Sequence, residues 1–331
     1  MGVKRTIGYG LVGTGMVALG GLAAASVAGS RLRRLHDGAL DEPLDQPTDV
    51  AHHHISTHDG GVLHAVETGS AERTIVLLHG VALQWWVWSA VIRLARVDHR
   101  VIAWDMRGHG ESRAGSDGVT LEAVADDLDL LLKTLDVRHA TVVGHSMGGM
   151  AIGHFEKHHS DTSAERVDAL MFLATSAAPT SVKGMAGVLG TVTAVSSRIA
   201  LATVDRPRLG YQWKDTGLTA SLIGTAFGPS VTGRMIHDVR MMLADCPRLT
   251  MAQASGSIAT HDVRRDLASV KHPSSVVVGS KDRLTAPVHA RTIASIIPGA
   301  ELITLDGIGH QVMQEAPDQL VELIRDLEAR S

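Results

Sequence analysis

Short apolar runs alternate with longer amphipathic runs along the chain from about residue 50. The short runs are bounded by glycine or polar residues. Successive apolar positions of this kind are typical of strands that are covered on both faces, so the runs predict buried β-strands. The predicted strands are Val62–Val66, Thr74–Leu78, Arg100–Trp104, Ala140–Val143, Ala169–Leu173, Ser275–Val278 and Glu301–Leu305.

The longer runs repeat their apolar residues at helical spacing. Leu121–Leu135 has one apolar face, and Thr120 before it is a typical helix start. Helices are also predicted from Met150 onward, over Ala290–Ile297 and over Val312–Leu327. Strands that alternate with helices predict an α/β fold, in which helices flank both faces of a mostly parallel central sheet.

Residues 177–255 interrupt this alternation. The pattern there is mainly helical, with few acids and several methionines, and it lies between two predicted strands. It predicts a helical cap, or lid, at 177–255, inserted into a core formed by residues 51–176 and 256–331. Met185–Leu201 is interpreted as a lid helix rather than a membrane span, because it contains Arg198.

The N-terminal segment differs in composition from the rest. The 25 positions Thr6–Ser30 carry no charge, and five basic residues and no acid occur within residues 1–35. A helix of that length crosses a hydrocarbon core of about 30 Å. Residues 1–35 are therefore predicted to be a single N-terminal membrane anchor. The alternative is a signal segment cleaved after Ser26-Val27-Ala28, followed by export.

Residues 36–50 are predicted to be a solvated linker, because this stretch is acidic and contains two prolines. Composition excludes other classes of protein. A net charge of −4 gives no support for nucleic-acid binding, and a single cysteine, Cys246, excludes an internal disulfide framework. Cys246 is interpreted as a packing residue of the cap.

Candidate chemistry begins at Gly144-His145-Ser146-Met147-Gly148, between a predicted strand and a predicted helix. A serine at such a junction occupies a strained turn that exposes its hydroxyl. A serine nucleophile needs a histidine base and a carboxylate that fixes the base's tautomer. His310 follows the last strand within Gly307–His310, and Asp282 follows the preceding strand, so both are predicted at the carboxyl edge of the sheet.

These motifs, together with His79-Gly80 and Asp105–Ser112, resemble those of the α/β-hydrolase superfamily over residues 50–330. The chain order Ser146, Asp282, His310 is the order of that arrangement. The backbone N–H of Met147 is predicted as one oxyanion donor. The resemblance implies that the N–H of Val81 is the second and that no metal or organic cofactor is required. Arg107, His109 and Asp105 are interpreted as structural residues of their loop.

The resemblance implies a serine hydrolase of the esterase or lipase type that cleaves carboxylic esters through an acyl-enzyme. Relatives that open epoxides or displace halide carry an aspartate at the position of Ser146, which argues against both reactions. Trp85, Trp86 and His145 are predicted to contact substrate, and the alternative for the tryptophans is packing in the core or against the cap. With methionines in the cap and a membrane anchor, they favour a lipid-like ester such as a monoacylglycerol. A C–C hydrolase, an acyltransferase, a perhydrolase (non-heme haloperoxidase) and a non-catalytic binding protein remain alternatives.

Overall fold

A computed structural model of the protein describes residues 46–179 and 213–331, together with residues 26, 27, 29 and 30. Within these residues, eight strands form one sheet. The strands are β1 Ala51–Ser56, β2 Val62–Thr68, β3 Thr74–Leu78, β4 Arg100–Asp105, β5 Ala140–His145, β6 Val167–Leu173, β7 Ser274–Gly279 and β8 Glu301–Leu305.

Helices connect and cover these strands. They are α1 Ser89–Ala95, α2 Leu121–Thr134, α3 Met147–His158, α4 Ser160–Arg166, α5 Gly217–Gly224, α6 Gly233–Asp245, α7 Arg248–Thr260, α8 Pro287–Ile296, α9 Val312–Glu315 and α10 Pro317–Glu328, with 3₁₀ turns at Trp85–Trp88 and Asp266–Ser269.

The sheet is mostly parallel, and its strand order is β1-β2-β4-β3-β5-β6-β7-β8. Only the β1–β2 and β2–β4 pairings are antiparallel within this sheet. The fold class predicted from the alternation of strands and helices is therefore confirmed. Parallel strands align their carboxyl ends at one edge, so the loops after β3, β5, β7 and β8 meet there.

Each face of the sheet has its own apolar layer, because alternate side chains of a strand point to opposite faces. Val76 and Leu78 of β3 pack in one layer with helices α2, α3 and α8. Ile75 and Leu77 pack in the other layer with α1, α10 and helices α5 and α6, which lie in the predicted cap. The strands look uniformly apolar in sequence because both layers exclude water.

Most predicted elements appear within two residues of their expected bounds. The start of α2 is as predicted: the Thr120 side chain accepts a hydrogen bond from the backbone N–H of Ala123. The predicted single helix Val312–Leu327 is wrong. It is divided into α9 and α10 at Ala316, whose φ of −144° and ψ of 54° are not helical. Helical geometry is disfavoured at a residue that precedes a proline. Ala316 precedes Pro317, the first residue of α10.

Three elements were not predicted: β1, α1 and α4. Strand β1 contains His52, His53 and His54. Among the described strands this edge strand pairs with β2 alone, and His52 and His54 are exposed on it. An edge strand needs few apolar side chains, so hydrophobic periodicity does not reveal it.

Residues 213–260 contain helices α5, α6 and α7 between β6 and β7, where the sequence predicts the cap. The predicted lid helix Met185–Leu201 lies outside the described residues, as do residues 36–45 of the predicted linker. Of the predicted anchor, only Ser26, Val27, Gly29 and Ser30 are described. Among the described residues, no helix is long and apolar enough to cross a membrane.

Candidate active site

Ser146 lies in a strained turn between β5 and α3. Its φ of 53° and ψ of −114° lie in a region that side-chain-bearing residues rarely adopt. Its N–H donates to the carbonyl of Leu173 over 3.0 Å, which ties the turn to the neighbouring strand. Gly148 makes this turn possible, because a Cβ there would lie 2.6 Å from the carbonyl oxygen of Leu78. The turn therefore presents the half-buried Ser146 at the carboxyl edge of the sheet.

Asp282 and His310 form a hydrogen-bonded pair at the same edge. The Nδ1 atom of His310 lies 2.9 Å from Oδ2 of Asp282, and each residue is only 4% exposed. The other carboxylate oxygen of Asp282 accepts the N–H groups of Leu284 and Thr285, over 2.8 and 2.9 Å. The hydroxyl of Thr285 donates to Oδ2 over 2.8 Å. The structure thus brings together two residues that are 28 positions apart in the chain.

The charge state of Asp282 follows from these contacts. Burial alone raises the pKa of a carboxyl group, but the charge and hydrogen bond of His310 and the donors of Thr285 outweigh it, so the pKa of Asp282 lies below its ordinary value. An ionised Asp282 accepts a hydrogen bond from the Nδ1–H group of His310. This arrangement leaves Nε2 of His310 as the nitrogen that can take a proton.

The loops that carry Asp282 and His310 are joined through their backbones. The N–H of Lys281 donates to the carbonyl of Ile308 over 2.8 Å, and that of Ser280 donates to Leu305 over 2.8 Å. The Asp282–His310 pair is therefore built into two loops that behave as one unit.

His145 joins the turn at Ser146 to the His310 loop. Its Nε2 donates to the carbonyl oxygen of His310 over 3.0 Å, and the two ring centroids are 4.7 Å apart. The ring is fully buried, and burial together with the charge of His310 lowers its pKa well below the ordinary value, so it is neutral. This position favours a positioning role over the substrate contact predicted from the sequence.

The predicted oxyanion loop lies against the turn at Ser146. A Cβ on Gly80 would be 3.1 Å from the Cβ of Ser146 and 2.9 Å from Nδ1 of His145, so only glycine fits there. His79 holds the loop: its Nδ1 donates to the Gly80 carbonyl over 2.7 Å, and its Nε2 accepts the N–H of Met106 over 3.0 Å. Burial lowers the pKa of His79, which keeps the ring neutral for these two bonds.

Val81 follows Gly80 and Met147 follows Ser146, and their backbone N–H groups are the predicted oxyanion donors. Met147 begins α3, so its N–H has no acceptor within the helix. No hydrogen-bond acceptor for the N–H of Val81 or Met147 occurs among residues 46–179 and 213–331. Their role as oxyanion donors stays a prediction.

The Asp105–Ser112 loop forms hydrogen bonds with residues near this site. Asp105 accepts the N–H of Trp85 over 2.8 Å and contacts Nδ1 of the buried His64 at 2.9 Å. Arg107 forms two hydrogen bonds with Asp127, at 2.6 and 2.7 Å. These contacts agree with the structural roles predicted for Asp105 and Arg107. Asp127 was not predicted, because it lies among the many polar residues of an amphipathic helix.

Trp85 and Trp86 are nearly buried, at 5% and 7% exposure, and pack with cap residues such as Ile236 and Met242. The indole N–H of Trp86 donates to the Gln84 side chain over 2.6 Å. A cavity of about 490 Å³ lies elsewhere, between α2, α3 and α7, and none of the predicted site residues lines it. Because residues 180–212 are not described, a substrate pocket at the tryptophans stays a prediction.

Two other groups bear on the chemistry. Cys246 follows α6, and burial with the nearby charge of Asp245 raises the pKa of its thiol to about 12, so it is protonated and unreactive at neutral pH. Among the described residues, no group of three His, Cys, Asp or Glu side chains is arranged to hold a metal ion.

A family comparison agrees with this architecture. The sequence profile of the alpha/beta hydrolase family matches residues 75–323, well over half of the chain. The chain belongs to the alpha/beta hydrolase family. As a member of that family with hydrolase relatives, it is a hydrolase.

The relatives that this hydrolase resembles differ in the activities that they are named for. It is 30% identical over 277 residues to the non-heme chloroperoxidase CPO-A1 of Kitasatospora aureofaciens, covering 82% of this chain and 96% of that protein. It is also 30% identical to the dihydrolipoyllysine-residue acetyltransferase component of an acetoin cleaving system from Pseudomonas putida. That match covers 79% of this chain but only 65% of the relative, so the chain spans less than two thirds of its length.

A solved structure of a thermophilic esterase from Thermogutta terrifontis has the same fold. It superposes with a TM-score of 0.70 over 85% of this chain and 98% of its own, at 24% identity. At this identity the similarity shows the shared fold alone.

Proposed function

We propose that this hydrolase cleaves carboxylic esters through a covalent acyl-enzyme on Ser146. The observation that carries the proposal is the Asp282–His310 hydrogen bond of 2.9 Å, placed beside the strained turn that presents Ser146. His145, the neighbour of Ser146 in sequence, links the two through its bond to His310. A nucleophile, a base and an orienting carboxylate are the three parts that acyl transfer by serine requires.

In the proposed reaction, Ser146 Oγ attacks the ester carbonyl carbon while Nε2 of His310 takes the hydroxyl proton. Asp282 stabilises the resulting imidazolium through Nδ1. The carbonyl oxygen becomes an oxyanion, which accepts hydrogen bonds from the N–H groups of Val81 and Met147. The intermediate collapses, and His310 returns the proton to the leaving alkoxide, which departs as an alcohol.

Water completes the cycle. His310 takes a proton from a water molecule, whose oxygen attacks the acyl carbon. The second intermediate then collapses as His310 returns that proton to Ser146 Oγ, which releases the carboxylic acid and restores Ser146. The oxyanion donors act twice, because both intermediates carry the negative charge on the same oxygen.

Covalent labelling tests this proposal directly. A fluorophosphonate probe is expected to modify the wild-type protein and not Ser146→Ala. Ser295→Ala is the matched control, because Ser295 is an exposed serine on α8. Equal labelling of wild type and Ser146→Ala, or no labelling of folded wild type, would refute the assignment of the nucleophile.

We propose lipid-like acyl esters, such as monoacylglycerols, as the substrate class. The support is the apolar surface of Trp85 and Trp86 packed on the cap, since apolar walls bind acyl chains. A series of p-nitrophenyl esters from acetate to palmitate checks this idea. We expect kcat/KM to rise with chain length, and a maximum at acetate with no activity on long chains would contradict it.

Perhydrolysis is a second candidate, favoured by the 30% identity to a non-heme chloroperoxidase. Hydrogen peroxide would replace water in attacking the acyl-enzyme, releasing a peroxyacid and free Ser146. Peroxide-dependent bromination in acetate buffer measures this activity, and the Ser146→Ala variant must lose it.

The product of the reaction without peroxide separates hydrolysis from acyl transfer. Transfer to an added alcohol gives a new ester instead of the acid.

A further inference from the structure

Glu315 receives three backbone contacts at the end of α9. One carboxylate oxygen, Oε2, accepts the N–H of Gly228 over 2.7 Å. Both carboxylate oxygens lie 3.1 Å from the N–H of Gly309, the residue before His310. One side chain therefore joins the loop that carries His310 to a segment that follows cap helix α5.

The segment Ala226–Gly228 rests directly on this loop. The N–H of His310 donates to the carbonyl oxygen of Ala226 over 2.7 Å. A Cβ on Gly228 would lie 2.0 Å from the Gly307 carbonyl oxygen, and a Cβ on Gly309 would lie 2.4 Å from the carbonyl carbon of Phe227. The two backbones are in contact without intervening side chains, so any movement of the segment displaces the His310 backbone.

We propose that Glu315 is a positioning residue that fastens the cap segment Ala226–Gly228 to the His310 loop and thereby sets the position of the catalytic base. The inference rests on the proposed function, in which His310 is that base. Glu315 acts through backbone N–H groups and has no contact with the nucleophile. It couples the cap to the catalytic centre because the same carboxylate holds both.

The cost of burying the charge of Glu315 distinguishes a positioning role from one that only stabilises the fold. Burial raises the pKa of Glu315 above its ordinary value, although the N–H groups of Gly228 and Gly309 and the charge of His310 act in the opposite direction. An ionised carboxylate at this place is therefore less favourable than it would be in water. Charged acceptors form stronger hydrogen bonds than neutral ones, so ionised Glu315 gives a firmer attachment than an amide would.

The test uses Glu315→Gln in the full chain. The variant keeps the shape of the side chain but loses its charge, and its NH₂ group faces a backbone N–H. With p-nitrophenyl acetate, we expect kcat to fall about 10- to 100-fold while KM changes less than threefold. The thermal midpoint is expected to be unchanged or higher. Glu322→Gln, an exposed carboxylate on α10, is the matched control and should retain wild-type kcat.

Hydrogen exchange provides a readout that does not depend on activity. The amides of Gly228 and Gly309 are expected to exchange at least tenfold faster in Glu315→Gln, with exchange in α6 unchanged. If wild type fails to react with the fluorophosphonate, the proposed function fails, and this exchange experiment still decides whether Glu315 attaches the cap segment to the loop.

Wild-type kcat or wild-type exchange in Glu315→Gln would overturn the proposal. If that variant does not fold, Glu315→Asp replaces it. The shorter carboxylate keeps the charge but does not reach both N–H groups, so we expect an intermediate loss of kcat. Full activity of the Asp variant would also contradict the role.

Discussion

His310 is held by contacts from three separate parts of the chain. Asp282 binds its Nδ1 at 2.9 Å, Ala226 accepts its backbone N–H, and His145 donates to its backbone carbonyl. Thr285 donates to the same carboxylate that orients the ring. Each contact fixes either the ring or the backbone of His310, so replacement of a single partner should change the rate more than the fold.

Replacement of Asp282 by asparagine tests the orientation of the ring. The amide favours the wrong tautomer of His310, so kcat is expected to fall about 10³- to 10⁴-fold with little change in KM. Ester hydrolysis with p-nitrophenyl acetate measures the effect. Asp326→Asn, a change of an exposed aspartate on α10, is the control, and a loss below tenfold for Asp282→Asn would argue against the assigned role.

The hydrogen bond between Asp282 and His310 predicts that the stability of the protein depends on pH. Because the pKa of Asp282 is lower in the folded protein than in the unfolded chain, its contribution is fully present above the unfolded value of about 3.9. That contribution is lost as the pH falls through the lower folded pKa. The difference in free energy of unfolding between wild type and Asp282→Asn should therefore be larger at pH 7 than at pH 3 in urea titrations. An equal difference at both pH values would contradict the linkage.

His145→Phe distinguishes positioning from substrate contact. Phenylalanine keeps the buried ring but removes the hydrogen bond to the His310 carbonyl. We expect kcat to fall about tenfold with KM within twofold, since a displaced base affects the chemical step more than binding. A raised KM with unchanged kcat would instead support the contact with substrate predicted from the sequence. Steady-state kinetics on two ester substrates separates these outcomes.

At the scale of the element, the site depends on how closely neighbouring loops and helices approach. The start of α3 crosses the end of β3 at Gly148, and the oxyanion loop meets the turn at Gly80. Glycine permits both approaches because it has no side chain. The strain of Ser146 is maintained by these tight contacts rather than by its own conformational preference.

A pair of glycine substitutions tests this packing. In Gly148→Ala the new Cβ would lie 2.6 Å from the Leu78 carbonyl oxygen, so we expect a loss of about 1–3 kcal/mol in the free energy of unfolding and reduced labelling of Ser146. Gly256→Ala in α7 is the matched control, because nothing lies within 4 Å of its added Cβ. This control should gain about 0.5–1 kcal/mol. Equal stability of the two variants in chemical denaturation would contradict the packing argument.

At the scale of the whole molecule, the cap and the sheet share an apolar layer. Phe227, Val239 and Met242 pack with side chains of the 3₁₀ turn Trp85–Trp88 and of the sheet. The backbone contact between Ala226 and His310 lies beside that layer. The predicted cap is therefore tied to the carboxyl edge of the sheet both by apolar packing and by the attachment proposed for Glu315.

The N-terminal segment gives the prediction at this scale. We propose that residues 1–35 anchor the protein to a membrane, since Thr6–Ser30 carries no charge. The full chain should stay with membranes after alkaline carbonate extraction, whereas a chain starting at residue 36 should be released. A mature N-terminus after Ala28 would favour signal cleavage, and release of the intact full chain would refute the anchor.

The sequence determined most of the elements, their order and the candidate chemical groups. Apolar runs located seven of the eight described strands, and glycine-rich motifs indicated Ser146, Asp282 and His310. These signals are local, because a buried strand or a tight turn restricts the residue types at consecutive positions. They did not reveal β1, which has one pairing partner in the sheet and little need of apolar residues.

Only the tertiary structure decided which groups meet. The contacts of His145 with His310 and of Glu315 with Gly228 join backbone atoms that are 165 and 87 positions from the side chain. A backbone N–H or carbonyl is present at nearly every residue, so a contact with it leaves no mark at the partner's position in the sequence. For this reason the sequence predicted the reacting groups, whereas the structure was needed to propose the residues that position them.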